Sequence, residues 1–379
     1  MNSTFLLAMF CGATILARPA LAQQAAESQT IQLVAQVKED AEKDIRLNWV
    51  NYMALYGEHL FVSAHRDGRV NVFKPDAAAA TPRFCGFVDL AVELKFPHRH
   101  LDAFPVLSAK NLLYLSGMWT HAGSNRDSLG LSWYRFDPKD GSARRLGTIP
   151  CDAGQILPAP GGKCLYLTAV FSKAVYTVEL DEATGAPTIG GKVTGRGMGG
   201  DCGLSPDGKQ LYSLDEQAVG WAQAAADGTL AYGGACDLAP LSPQRNLRSQ
   251  AIAVSPDGKH VYVALWTYHY NALGLLARDE KSGTLVFRRK LEVDPNMFGI
   301  NRIVFTPDGK TGFYSSGTEN SGACLGWFTR DPRSGRLRFG GVAEKSKFGP
   351  DHMAFDAATG TIYLAGSAGT KYFNVYRCR

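Results

Sequence analysis

The chain reads as an all-β protein, a seven-bladed β-propeller with four-stranded blades, and three observations predict it. A five-residue phrase recurs as Ser205-Pro206-Asp207-Gly208-Lys209 before Leu211-Tyr212 and as Ser255-Pro256-Asp257-Gly258-Lys259 before Val261-Tyr262. It returns as Thr306-Pro307-Asp308-Gly309-Lys310 before Gly312-Phe313. Such a long, fixed period marks stacked copies of one supersecondary unit. Seven aromatic markers then fall into line: Phe61, Tyr114, Tyr166, Tyr212, Tyr262, Phe313 and Tyr363, at separations of 53, 52, 46, 50, 51 and 50 residues. Finally, each copy divides into four short apolar runs joined by Gly-rich turns, with little helical periodicity outside residues 40–46.

The copies follow in order. Tyr56-Gly57-Glu58 leads into Leu60-Phe61 in the first, and Lys110-Asn111 into Leu113-Tyr114 in the second. Pro160-Gly161-Gly162-Lys163 leads into Leu165-Tyr166 in the third. The three strong phrases open the fourth, fifth and sixth, and Ala358-Thr359-Gly360 opens the seventh. In each strong phrase Pro presets φ, Asp tolerates the turn and Gly supplies a positive φ. In the fifth copy the strands are expected over 250–254, 261–266, 272–278 and 284–291. A second turn runs from Asp to Gly: Asp137 to Gly141, Asp181 to Gly185, Asp227 to Gly228, Asp279 to Gly283 and Asp331 to Gly335. The seventh copy ends in its third strand, over 372–378. The alternating segment 31–37 is expected to supply its missing fourth strand and close the ring without a free edge.

Residues 1–22 read as a secretory signal peptide. An apolar run over 5–17 is too short to span a bilayer, and Ala20-Leu21-Ala22 forms an A-x-A site, although no Lys or Arg precedes the run. A short arm over 23–30 and a single propeller domain over 31–379 follow. The expected location is periplasmic or secreted, with no membrane anchor after cleavage. At 45% hydrophobic and 20% charged residues the composition is that of a globular protein. A net charge of +5 with scattered Lys and Arg argues against nucleic acid as a partner. Seven cysteines remain beyond the leader, an odd number in a disulfide-permitting compartment. A bridge among Cys151, Cys202 and Cys236 is one expectation; burial as small apolar side chains is the other.

In a propeller the innermost strands converge on the axis, and chemistry sits on one rim. Eleven residues before each marker stand Val50, Ala103, Gln155, Asp201, Ala251, Arg302 and His352. One residue earlier stand Trp49, Asp102, Gly154, Gly200, Gln250, Asn301 and Asp351. A carboxylate, a guanidinium and an imidazole converging there can hold an anionic or polyhydroxylated ligand and move a proton. The candidate catalytic residues are His352, Arg302 and Asp201. The candidate substrate-binding residues are Asp102, Gln155, Arg248, Gln250, Asn301, Asp351, His100, His121, His269 and Trp266. The same groups also fit a wet channel with ion pairs between blades, such as Arg302 with Asp351. Loop histidines, His65 among them, come from different blades, so no metal and no cofactor are assigned.

The phrase Ser-Pro-Asp-Gly-Lys-x-Leu/Val-Tyr, with a third strand ending in Asp-x-x-Ser/Thr-Gly-x-Leu, resembles the seven-bladed β-propeller lactonase family. That family includes propeller-type 6-phosphogluconolactonase and the fungal carboxy-muconate lactonising enzyme, and it is close to the YVTN repeat proteins. The likeness extends from about Trp49 to Arg379. Gly349-Pro350-Asp351-His352 looks like the family's last-blade Gly-Pro-Arg-His pattern, with Asp351 in place of the Arg. Asp201-Cys202 stands where the family often carries a His-bearing segment. The resemblance implies opening or closing of a lactone, with His352 as general acid–base. Arg302 or Arg248 would hold a carboxylate or the developing oxyanion. Two other classes stay open: a non-catalytic propeller binding a protein or polysaccharide, and the large propeller subunit of a periplasmic quinone-cofactor amine dehydrogenase.

Overall fold

The computed structural model describes residues 30–90, 101–120, 126–169, 171–215, 217–241, 248–267, 270–293, 299–318, 322–346, 352–366 and 369–378. Seven four-stranded antiparallel sheets form the blades of a propeller. Blades one to six each run outward in chain order. Their innermost strands are Val50–Tyr56, Leu101–Leu107, Ile156–Pro158, Asp201–Leu204, Arg248–Val254 and Ile300–Phe305. Blade seven combines Met353–Asp356, Thr361–Ala365 and Tyr372–Cys378 with Ile31–Lys38 from the other end of the chain. Ile31 lies opposite Cys378 and Lys38 opposite Tyr372, so the N-terminal strand closes the ring as its alternation predicts. Gln36 Nε2 donates to Asn374 Oδ1 at 3.0 Å across this seam.

The apolar core is not one mass but a set of layers between neighbouring blades. Phe61, Val70 and Val88 of blade one pack with Leu113, Leu115 and Tyr134 of blade two. Tyr212, Leu214 and Trp221 of blade four pack with Val261, Val263 and Leu276 of blade five. The seam is sealed the same way, by Leu60 and Phe73 against Tyr363 and Phe373.

The repeated phrase is the hardware of these joints. Ser205 Oγ donates to Asp207 Oδ1 at 2.6 Å, and Asp207 Oδ1 accepts the Lys209 N–H at 3.2 Å, which folds the turn around a positive φ at Gly208. The marker hydroxyls then cross to the next blade. Tyr114 Oη donates to Gly185 O at 2.7 Å, Tyr212 Oη to Gly283 O at 3.0 Å, and Tyr262 Oη to Gly335 O at 2.7 Å. Burial pushes each of these phenols up to about 12, so they act as neutral donors. Buried Arg278 and Arg330 complete the struts by reaching back to Asp207 and Asp257 of the preceding blade.

Two sequence expectations are corrected. Residues 40–46 form a turn closed by an Asp40–Ile45 bridge, because the Asp40 carboxylate accepts the N–H groups of Glu42 and Lys43 and holds the chain there. The bridge among Cys151, Cys202 and Cys236 is not formed; these three, with Cys85, Cys164 and Cys378, are free thiols. Cys202 lies on the innermost and Cys236 on the outermost strand of blade four, roughly 14 Å apart by strand spacing. A disulfide tolerates about 7 Å between Cα atoms. The Cys324 side chain is outside the described set.

Candidate functional site

Strand register identifies which side chains share a layer at the hub. The seven markers pair with Ala54, Val106, Leu157, Gly203, Ala253, Val304 and Ala354 on the innermost strands. Side chains two residues apart on a strand share a face. Two residues before these partners stand Tyr52, Phe104, Gln155, Asp201, Ala251, Arg302 and His352. Counting back eleven residues therefore works in blades three to seven and fails in blades one and two, whose first hairpins are shorter. The positions read from sequence as Val50 and Ala103 are Tyr52 and Phe104 in the folded ring. Only the pairing reveals them, because a hairpin's length is not written in its period.

Three members of the layer are clamped alike. The Cys202 N–H donates to Gln155 Oε1 at 2.9 Å, the Ile252 N–H to Asp201 Oδ2 at 3.0 Å, and the Met53 N–H to His352 Nδ1 at 3.3 Å. In each case the backbone of the next blade occupies one end of the side chain and leaves the other end for the hub. Asp201 Oδ1 faces Arg302 Nη1 at 3.8 Å, across the small side chain of Ala251 on the intervening blade. Asp201 and Arg302 each keep about a fifth of their side-chain surface exposed, so solvent reaches the pair. Gln155 Nε2 and His352 Nε2 are buried and have no partner among the described residues.

The electrostatics follow from this geometry. A backbone donor on His352 Nδ1 puts the proton of the neutral imidazole on Nε2. Burial, and then the Arg302 charge, hold the His352 pKa well below its ordinary value. His352 is thus a neutral N–H donor across the physiological range, not a group that readily accepts a proton. Burial raises the Asp201 carboxyl, while Arg302 and the N–H groups of Ile252 and Cys202 pull it back toward ionisation. The opposite wall is aromatic: Tyr52 stacks on His352 with centroids 4.1 Å apart, and Phe104 meets Tyr52 edge-on at 4.8 Å.

One register position toward the mouth, β-bulges interrupt blades one, five and six at Asn51, Gln250 and Asn301. Bulges of this kind re-aim side chains at rims. Asn301 Nδ2 is turned back to Gly317 O at 3.1 Å. Asp102 is not a member of the hub layer; it lies at the rim, where its Oδ1 accepts from Asn51 Nδ2 and pairs with His65 Nδ1 at 2.7 Å. The side chains of Arg248, Gln250 and Trp266 are not described, and His100, His121, His269 and Asp351 lie outside the described residues. The expected Arg302–Asp351 pair therefore falls there too; among the described residues Arg302 pairs with Asp201. Sequence reading passed over Asn51, Tyr52 and Phe104.

Solved structures share this fold. A periplasmic gluconolactonase from Pseudomonas aeruginosa superposes with a TM-score of 0.64 at 20% identity, over 82% of this chain and 86% of that one. A Bacteroides uniformis protein provisionally named a 6-phosphogluconolactonase gives 0.59 at 17% identity, over 78% and 84%. A Lactobacillus plantarum protein whose name states no function gives 0.60 at 15%, over 87% and 89%. No family profile and no curated protein sequence matches the chain.

Proposed function

We propose that this chain is an extracytoplasmic lactone hydrolase whose substrate lies against the hub, with its carbonyl oxygen toward Arg302 and His352. The observation that carries the reading is the clamped arc of Gln155, Asp201 and His352. Two of its three members offer buried donors, unpartnered among the described residues, beside a guanidinium. A buried donor without a partner is costly, and a ligand acceptor relieves that cost.

In this reading the His352 Nε2–H and the Arg302 guanidinium donate to the lactone carbonyl. Both bonds strengthen as that oxygen gains charge in the tetrahedral intermediate. Each such fixed donor is worth about 3 kcal/mol to a developing oxyanion. Asp201 holds Arg302 in position, Gln155 Nε2 serves a ring or hydroxyl oxygen, and Tyr52 with Phe104 forms the apolar side of the seat. The gluconolactonase names among the structural neighbours and the apolar run over 5–17 support the substrate class and the location.

The test is a panel of lactones, sugar-derived and unsaturated, offered to the purified protein with and without chelator. Hydrolysis unaffected by chelator is expected. Replacing both His352 and Arg302 with Ala is expected to abolish it while leaving thermal unfolding nearly unchanged. Turnover of none of the lactones would instead favour a propeller that binds a protein or polysaccharide.

A further inference from the structure

If His352 donates, another group must accept the proton of the attacking water. We propose that His65, oriented by Asp102, is that acceptor; the inference rests on the hydrolase reading above. His65 follows the second strand of blade one, and Asp102 is the second residue of the innermost strand of blade two. Asp102 Oδ1 sits 2.7 Å from His65 Nδ1. A carboxylate at that distance keeps the imidazole proton on Nδ1 and leaves Nε2 as the basic nitrogen, the reverse of His352. The protein thus holds two buried imidazoles of opposite hydrogen-bonding sense at one end of its axis.

The pair is built with care. Asn51 Nδ2 donates to the same Asp102 oxygen and so fixes the carboxylate. Trp49 holds a φ of 60°, a left-handed conformation that an L-residue with a bulky side chain rarely adopts. That conformation sets its indole 4.6 Å from the His65 ring. The strained residue is tied on both sides, by its N–H to Thr370 O at 2.9 Å and by its carbonyl to the His65 N–H at 2.8 Å. Backbone strain that is held this firmly is a mark of functional positioning. Among the described residues, Asp102 on blade two pairs with the imidazole, and Arg66 and Asp67 follow it on its own loop. Arg66 covers the Trp49 indole at 5.1 Å, and Asp67 accepts the Asn48 N–H at 2.9 Å.

The dyad also lies next to the hub layer. Asp102 shares a strand face with Phe104 and stands one two-residue step, roughly 7 Å, closer to the mouth. Asn51 immediately precedes Tyr52, which stacks on His352. In the proposed step the water oxygen bonds to the lactone carbonyl carbon, and its proton passes to His65 Nε2. The intermediate then breaks the ring C–O bond, and the leaving alkoxide takes that proton back from His65. The product is a hydroxy acid, whose carboxyl group ionises to solvent.

The experiment compares wild type, His65→Gln and Asp102→Asn for kcat, KM and the pH dependence of kcat/KM on a lactone the wild type hydrolyses. Nitrogen NMR of the histidines is recorded on each folded protein. His65→Gln is expected to lower kcat by about a hundredfold or more, with KM changed by less than about threefold, and to remove the acid limb of the profile. In wild type the His65 spectrum is expected to show its proton on Nδ1. An Asp102→Asn protein that loses this tautomer and most of kcat supports the orienting role. An active His65→Gln that keeps the acid limb, or a wild-type His65 with its proton on Nε2, overturns the proposal alone. A wild type as inert as its variants toward every lactone overturns the hydrolase reading and the role of His65 together.

Discussion

Replacing Arg330 with Met would remove the strut between blades five and six. Its side chain is buried, and the guanidinium satisfies four groups at once. Nε donates to Tyr262 Oη at 2.9 Å, Nη1 to Gly309 O at 3.1 Å, and Nη2 to both Asp257 oxygens and to His260 Nδ1, each at 2.8 Å. Methionine keeps much of the stem's volume, so the loss is chiefly electrostatic. Breaking one side of a buried ion pair costs about 3–5 kcal/mol, because the partner charge is left behind. Asp257 retains 28% of its side-chain exposure and can recover some hydration, which points to the lower end, about 3 kcal/mol. The control is Arg196→Met, whose pair with Asp237 is half exposed on both sides and is worth about 0–1 kcal/mol. Urea denaturation of the three proteins reads both values. An Arg330→Met midpoint no lower than that of the control would refute the strut. Because the strut lies at the end of the blade away from the mouth, activity per folded molecule should not change.

Two further outcomes follow from the same structure. His59, His260 and His352 are all held below the ordinary imidazole pKa, in each case first by burial. The unfolded chain therefore binds protons before the folded one does. Stability is fully present above pH 6.5 and falls as the pH drops toward the folded values, by about 1.4 kcal/mol per pH unit for each imidazole in its window. Denaturant midpoints measured between pH 7.5 and 5 should show this slope, and a flat profile would contradict buried neutral imidazoles. Separately, deletion through Lys38 leaves Tyr372–Cys378 as a bare edge and should yield aggregated protein on gel filtration, whereas Leu33→Ser at a half-exposed position should shift stability by less than about 0.5 kcal/mol.

The fold was legible because its information is repeated. The phrase Ser255-Pro256-Asp257-Gly258 builds a turn from neighbouring atoms, and Tyr262 and Arg330 recur at spacings that let one blade brace the next. Local chemistry repeated from blade to blade identifies itself without reference to the rest of the molecule. Even the ring closure was readable, since segment 31–37 alternates and the last copy lacks a strand. The hub was legible only where spacing is preserved: Gln155, Asp201, Arg302 and His352 lie where the count from the marker puts them.

What the chain alone determined, then, is the number of blades, their strands, the seam and four polar positions of the innermost strands. Tertiary structure decided which atom of each polar group is used. Only the approach of the Met53 N–H makes His352 a donor, and only Asp102 on the neighbouring blade can make His65 an acceptor. Only pairing register brings Tyr52 and Phe104 into the layer. The physical reason is that a side chain's protonation and direction are set by neighbours more than thirty residues away in sequence, whereas a turn is set by the residues within it.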